Sequence, residues 1–217
     1  MHYINLRFNF RRRFTINRKY SVLLFDLGGV LIDCDKFKKL LEWQNWTDDA
    51  EELEKKWRET ETVKLYELGS IGTKEFYDQI VSEFALNVSA ARFIKEFRLL
   101  PKGFYKGAKV VLKQLSKKYM TVALSNTNEV HWNKLCDVDS VQKYFKRCYP
   151  SHLIHKIKPN ADAFTYVIKQ LKVEPSAIAF FDDKEENIEA AKKLGIDAYL
   201  SKGFESLCEN LNELSVL

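Results

Sequence analysis

The apolar positions of this chain change their spacing twice. Val22–Phe25 is a continuous apolar run that ends at Asp26 and is followed by Gly28-Gly29. Such a run, bounded by glycine, predicts a strand buried on both faces, as in a parallel sheet. From Asp35 to Glu96 the spacing becomes helical, with charges interleaved among Leu40, Leu41, Leu53, Ile80, Val81 and Phe84. A Gly-Ser-Ile-Gly break at 69–72 divides this stretch, and Thr73 is expected to start the next helix as its N-cap. The pattern predicts an all-helical insert outside the sheet.

Beyond Leu100-Pro101, helical and strand-like segments alternate to the end of the chain. Ala108, Val111, Leu112 and Leu115 make one helix face, and Thr121–Leu124 reads as a strand running out into Ser125-Asn126-Thr127-Asn128. A helix near Val130–Asp137, a short strand at Arg147–Tyr149 and the Lys158-Pro159 loop follow. Next come a helix over Ala161–Leu171, a strand Ala177–Phe181 ending at Asp182-Asp183, and a helix over Glu185–Leu194. A strand at Asp197–Leu200 and a helix near Phe204–Leu214 complete the series. This alternation predicts an α/β fold, a parallel sheet with helices on both faces. The expected division is a basic extension at 1–20, a core formed by 21–34 and 101–217, and the helical insert at 35–100.

Composition narrows the class. With 217 residues, 46% of them hydrophobic, the chain has ample apolar surface to fold, and 8 Gly with 4 Pro exclude a collagenous or low-complexity protein. Its longest apolar runs are strand-length, short of the roughly 18 residues of a spanning helix, so a soluble, cytoplasmic protein is expected. Cys34, Cys136, Cys148 and Cys208 show no C-x-x-C spacing and suit reduced thiols. Cys148, His152 and His155 have metal-ligand chemistry but no fourth partner at zinc spacing, so solvent-facing loop histidines are expected there. Net charge is +5, yet residues 1–20 hold six basic residues and no acid, leaving 29 basic against 30 acidic elsewhere. That Arg-rich start is expected to lie outside the fold. Contact with nucleic acid or anionic lipid, and organelle targeting, are its functional alternatives.

Candidate chemistry gathers where strands end, the edge at which open parallel sheets bind ligands. The expected strand ends and loops carry Asp26, Ser125-Asn126, Lys158 and Asp182-Asp183. Carboxylates from two strand ends suit a hard cation such as Mg²⁺, while lysine, hydroxyl and amide groups suit phosphate oxygens. An aspartate can also be a nucleophile, through an aspartyl-phosphate. Singly, each residue has a plainer use: Asp26 in a turn, Asp182-Asp183 at a helix N-terminus, Lys158 in solvent. Their convergence on one sheet edge favours the chemical use. The insert's Trp43, Trp46, Trp57, Tyr66, Phe76 and Tyr77 lie at helical spacing and are expected to be core rather than a substrate platform.

The order of motifs resembles the haloacid dehalogenase-like superfamily: Phe25-Asp26-Leu27-Gly28-Gly29-Val30, then Leu124-Ser125-Asn126-Thr127-Asn128, Lys158-Pro159, and Phe181-Asp182-Asp183 with Asn187. It looks closest to the branch of glucose-1-phosphate phosphatases and the phosphatase domain of epoxide hydrolases. The resemblance implies a Rossmann-like core with an inserted helical cap, and Mg²⁺-dependent hydrolysis of a small phosphomonoester, sugar phosphates among the candidates. Residue by residue, it implies Asp26 as nucleophile and metal ligand, Asp182 as metal carboxylate and the Gly28 carbonyl as a third ligand. Asp183 would act on metal-bound water or nearby ligands, Ser125 and the Asn126 amide would grip phosphate, and Lys158 would steady nucleophile and phosphate. Most phosphatases of the superfamily have a second Asp two residues after the nucleophile, where this chain has Gly28. That leaves the proton donor unassigned, with Asp33 and His131 as candidates that have plainer uses as a helix cap or solvent-facing residue. Two alternatives stand beside the phosphatase: a hydrolase of non-phosphate substrates such as a haloacid dehalogenase, and a catalytically weak binding protein on the same fold.

Overall fold

A computed structural model describes residues 19–34, 36–44 and 49–217; the chain up to Arg18 and Trp46 lie outside them. In chain order the first elements are strands β1 (Val22–Phe25) and β2 (Ile32–Cys34). Helices α1 (Lys36–Trp43), α2 (Ala50–Glu59), α3 (Glu61–Glu67), α4 (Thr73–Glu83) and α5 (Ala90–Phe97) follow. Then come β3 (Pro101–Phe104), α6 (Ala108–Leu115), β4 (Met120–Ser125), α7 (Glu129–Asp139) and β5 (Arg147–Pro150). The chain closes with α8 (Ser151–Ile154), α9 (Ala161–Leu171), β6 (Ile178–Asp182), α10 (Glu185–Lys193), β7 (Asp197–Leu200) and α11 (Phe204–Glu213).

Five strands form one parallel sheet in the order β5-β4-β1-β6-β7, with β1 pairing β4 on one side and β6 on the other. The apolar run of β1 is continuous because both sheet faces are covered. Leu23 and Phe25 pack with Leu112, Trp132, Leu207 and Leu211 of α6, α7 and α11 on one face. Val22 and Leu24 pack with Phe164, Val167, Ile188 and Ala191 of α9 and α10 on the other. Chain connections leave β1 in opposite directions, which makes its C-terminal end the crevice where such sheets bind ligands.

Helices α1–α5 have a core of their own. Trp43, Trp57, Tyr66, Phe76 and Tyr77 are buried there with Phe84, Phe93 and Phe97, as their helical spacing predicts. The rings of Tyr66 and Phe76 stack at 4.1 Å, and Trp57 meets Phe84 edge-on at 5.6 Å. Full burial of one such ring contributes about 1.5–3 kcal/mol, so this small layer is held mainly by its aromatic residues.

The structure departs from expectation at four points. An antiparallel ribbon, β2 with β3, joins the helical layer to the sheet through the pairs Ile32↔Phe104 and Asp33↔Gly103; strands this short carry no periodicity to read. Thr73 begins α4, but Gly72 holds the N-cap position, and the Thr73 hydroxyl lies 3.1 Å from Tyr66 Oη. Tyr20, assigned above to the extension, is buried; its hydroxyl donates to Asp197 Oδ2 at 2.8 Å, and Lys19 pairs with the same carboxylate. The sheet domain therefore takes in Lys19 and Tyr20. Finally, His152 is buried rather than solvent-facing, whereas His155 is exposed as expected and donates from Nδ1 to Leu68 O at 2.8 Å; burial pushes the Cys148 thiol up to about 12.

Candidate active site

Asp26 is the first residue past β1, and its N–H continues the parallel ladder by donating to Phe181 O at 2.9 Å. Asp182 ends β6 and Ser125 ends β4, so three adjacent strands deliver their last polar residue to one edge. Lys158 arrives from the loop between α8 and α9. Its Nζ lies 2.9 Å from Asp26 Oδ1 and 2.6 Å from Asp182 Oδ2, with the side chains of Lys158 and Asp182 1% and 0% exposed. A buried ion pair is tolerable only when its remaining polar groups are also satisfied. Here Asp182 Oδ1 accepts from Lys184 N–H at 2.9 Å and from Asn187 Nδ2 at 2.8 Å.

The loops that carry these groups are braced from behind. Asn126 Oδ1 accepts the Lys158 N–H at 2.9 Å, and Asn126 Nδ2 donates to the Lys158 carbonyl at 2.8 Å. One residue on, the fully buried Ser151 hydroxyl accepts from Thr127 N–H at 2.9 Å and donates to Thr127 O at 2.8 Å. Neither side-chain brace is visible in the sequence: the resemblance implies a role only for the Asn126 amide, and nothing local to Ser151 announces a partner 24 residues away.

The site's electrostatics follow from burial. Burial pushes the Asp26 carboxyl up to about 7, the Lys158 ammonium pulling the other way. Burial also raises Asp183. Burial works against the Lys158 charge, but the flanking Asp182 and Asp26 outweigh it and hold the ammonium protonated well above its ordinary range. Oxygens of Asp26, Asp182 and Asp183 all lie within 4.8 Å of one another, the one group of potential metal ligands found among the described residues. Cys148, His152 and His155 form no such group.

A cavity of about 760 Å³ opens over these residues. Its floor includes Asp26, Gly28, Ser125 and Lys158, and its roof comes from the helical layer through Trp57, Val63, Lys64 and Phe97. Lys184 ties floor to roof by pairing with Glu54 of α2, and Arg58 pairs with Glu186 of α10 at 3.2 Å. Gly29 has φ +78°, and a Cβ there would sit 2.8 Å from Asp183 Oδ2, so the turn needs glycine. Gly28 differs: a Cβ built on it meets nothing within 4 Å. His131 lines the cavity, but Nε2 is 2.8 Å from Phe97 O and Nδ1 is 3.2 Å from Asn128 Nδ2. Asp33 lies outside the cavity lining, 3.5 Å from Lys102 Nζ.

A hydrolase family model, that of haloacid dehalogenase-like hydrolases, matches residues 20–195. The chain belongs to this family. Among characterised relatives of this haloacid dehalogenase-like hydrolase, D-ribitol-5-phosphate phosphatase of Bacteroides thetaiotaomicron is 26% identical, over 82% of this chain and 89% of that protein. A sesquiterpene phosphatase of Aspergillus oryzae is 23% identical over 90% of this chain and 96% of its own length. A family enzyme of Bacteroides thetaiotaomicron, solved with magnesium and inorganic phosphate, superposes with a TM-score of 0.70 at 28% identity, covering 83% of this chain and 93% of that one.

Proposed function

We propose that this hydrolase is a Mg²⁺-dependent phosphatase that hydrolyses a small phosphomonoester, sugar and sugar-alcohol phosphates among the candidates, through an aspartyl-phosphate. The observation that carries the proposal is Lys158 Nζ seated between Asp26 and Asp182, with Ser125 on the adjacent strand end. The Asp26 carboxylate attacks phosphorus, the ester oxygen leaves with the bonding pair, and water then cleaves the acyl phosphate to restore Asp26. Lys158 neutralises charge on nucleophile and phosphate, while Ser125 Oγ and the Asn126 N–H grip the phosphoryl oxygens. The helical layer acts as a cap that limits which organic group fits above the phosphate.

The oxygen-rich, buried donor set fits Mg²⁺, which when bound supplies charge neutralisation at the phosphate. Hydrogen bonding divides the carboxylates between two tasks. Asp182 already accepts from Lys158, Lys184 and Asn187, so it serves chiefly as the lysine's counter-ion. Asp183 is the freer carboxylate of the pair and would hold the metal with Asp26 and the Gly28 carbonyl. This assignment exchanges the emphasis that motif matching placed on Asp182.

The test is phosphate release from a panel of phosphorylated metabolites, with and without Mg²⁺. Asp26→Asn should fall to background, since an amide is no competent nucleophile. Asp183→Asn should raise the Mg²⁺ needed for half-maximal rate by about tenfold or more, whereas Asp182→Asn should lower kcat with a smaller change in Mg²⁺ requirement. Turnover retained by Asp26→Asn would overturn the covalent route. Halide release from 2-haloacids without phosphate release would favour the dehalogenase alternative.

A further inference from the structure

Two stretches of this chain that share one side of the sheet hold no acidic residue. Residues 97–128 hold seven basic residues and no acid, and residues 140–161 hold five basic residues and no acid. Together these are a quarter of the chain and contain none of its 30 acidic residues. The fold brings the two stretches side by side, because β4 pairs with β5 and α6 packs on the turn at Val141–Tyr144.

Where they meet, at the N-terminal ends of the strands, lies a concavity of about 420 Å³. Leu112, Met120 and Phe145 line it with Lys113, Lys143 and Lys146, and no acidic residue contributes to the lining. The three lysines are exposed and enter no ion pair among the described residues. The walls are tied together: Lys146 N–H donates to Thr121 O at 2.8 Å, and Thr121 Oγ1 donates to Tyr144 O at 3.0 Å. A lysine in the last turn of α6 complements that helix dipole, which accounts for Lys113 but not for the exclusion of every acid from both stretches.

We propose that this edge docks on an anionic phospholipid surface. Charge complementarity is the first argument: lysines with no acidic partner are drawn to the acidic headgroups of a bilayer. The second is the Arg-rich start of the chain. Val22 of β1 pairs with Met120 of the concavity, so the segment preceding β1 joins the fold at this same edge. That segment interleaves Arg7, Arg11, Arg12 and Arg13 with Leu6, Phe8, Phe10 and Phe14. Mixed basic, aliphatic and aromatic residues suit the headgroup boundary of a bilayer. A single-stranded nucleic acid would stack on ring faces, and within the concavity the Tyr144 ring is already engaged by Phe104, edge-on at 5.2 Å, and by Lys113 Nζ at 5.9 Å. Because every strand of the sheet is parallel, the Asp26 cavity lies at the opposite edge and stays open when this one is covered.

The experiment is sedimentation of the full chain with vesicles of phosphatidylcholine alone or with about 30% phosphatidylserine, at low salt and at about 0.5 M. The expected result is partition onto the phosphatidylserine vesicles only, lost at high salt. The triple variant Lys113→Glu, Lys143→Glu, Lys146→Glu should partition at least about tenfold more weakly, while Lys74→Glu on α4 should match the unaltered chain. Thermal melting checks the triple variant, and the corresponding Gln triple replaces it if the melt is lost. Partition that ignores phosphatidylserine, a triple variant that binds as tightly as the original, or retention on an RNA oligonucleotide without vesicle binding would each overturn the proposal.

Discussion

The Asn126 side chain holds both backbone polar groups of Lys158, accepting its N–H at 2.9 Å and donating to its carbonyl at 2.8 Å. This clamp fixes where the lysine stem begins, and so where Nζ meets Asp26 and Asp182. Asn126→Ala removes two hydrogen bonds at a total cost of about 1–3 kcal/mol, a modest fall in melting temperature. The rate should suffer far more, because displacing a reacting constellation by an ångström can cost about 10²-fold. Measured together, kcat should drop by about 10- to 100-fold in a protein that still melts cooperatively. An unchanged kcat would show that Lys158 is positioned by its carboxylates alone.

Asp26 and Asp183 give the metal-free protein a definite pH response. Burial raises both carboxyls, Asp26 from 3.8 to about 7, so the folded chain keeps protons that the unfolded chain has released. The unfolded state binds fewer protons in that window, and stability therefore falls as pH rises from about 4 to about 7. Lys158 acts in the same direction but in another window: its stabilisation is fully present below 10.5 and is lost only as pH climbs through its raised value, so it leaves this window untouched. Mg²⁺ binds ionised carboxylates and should restore what is lost. Melting curves with and without Mg²⁺ should show a larger metal-induced rise at pH 8 than at pH 5. Equal rises would mean that the acidic cluster does not hold the ion.

The parts of the fold that were legible are those where burial imposes a pattern. β1 had to be continuously apolar because helices cover both of its faces, and α9 was bounded correctly at Ala161 and Leu171 because its apolar stripe begins and ends there. The β2–β3 ribbon has three and four residues, too few for a period-two pattern to stand out from loop in the sequence. The site divides in the same way. That Asp26, Ser125, Lys158 and Asp182 come together was legible, because three of them follow recognisable strands and Lys158 stands in the loop before Pro159. That Lys184 and Asn187 reach back to one oxygen of Asp182, and so set it apart from Asp183, was not.

Tyr20 sets the boundary of the folded chain and can be tested by truncation. Deleting residues 1–17 leaves Lys19, Tyr20 and the strand that follows intact, so denaturation midpoint and phosphatase rate should stay unchanged. Deleting residues 1–20 also removes the buried ring and its hydroxyl bonds to Asp197 and Tyr199, at 2.8 and 2.6 Å. That loss should cost about 2–4 kcal/mol, from burial of an aromatic side chain plus its hydrogen bonds. Chemical denaturation of the two truncations settles the boundary; equal stability would place Tyr20 outside the cooperative unit.

Gly28 should leave its mark in substrate preference. It stands two residues after Asp26 in the cavity floor, the position at which the resemblance implies a second Asp in most phosphatases of the family. Neither substitute donor is available: both His131 nitrogens face hydrogen-bond partners, and Asp33 lies outside the cavity lining beside Lys102. A leaving group that receives no proton departs as an anion, so on this reading anomeric, aryl and acyl phosphates should outrun esters of primary alcohols, sugar-alcohol phosphates included. In a rate series over substrates of graded leaving-group acidity, the unaltered enzyme should show a steep dependence. Gly28→Asp should flatten it, raising the rate for poor leaving groups by as much as about 10²-fold, the lower end of general acid catalysis. The substitution fits the fold, since a Cβ at Gly28 meets nothing within 4 Å and its backbone is not left-handed. A flat series in the unaltered enzyme would mean that another group already delivers the proton, and that the glycine is no handicap.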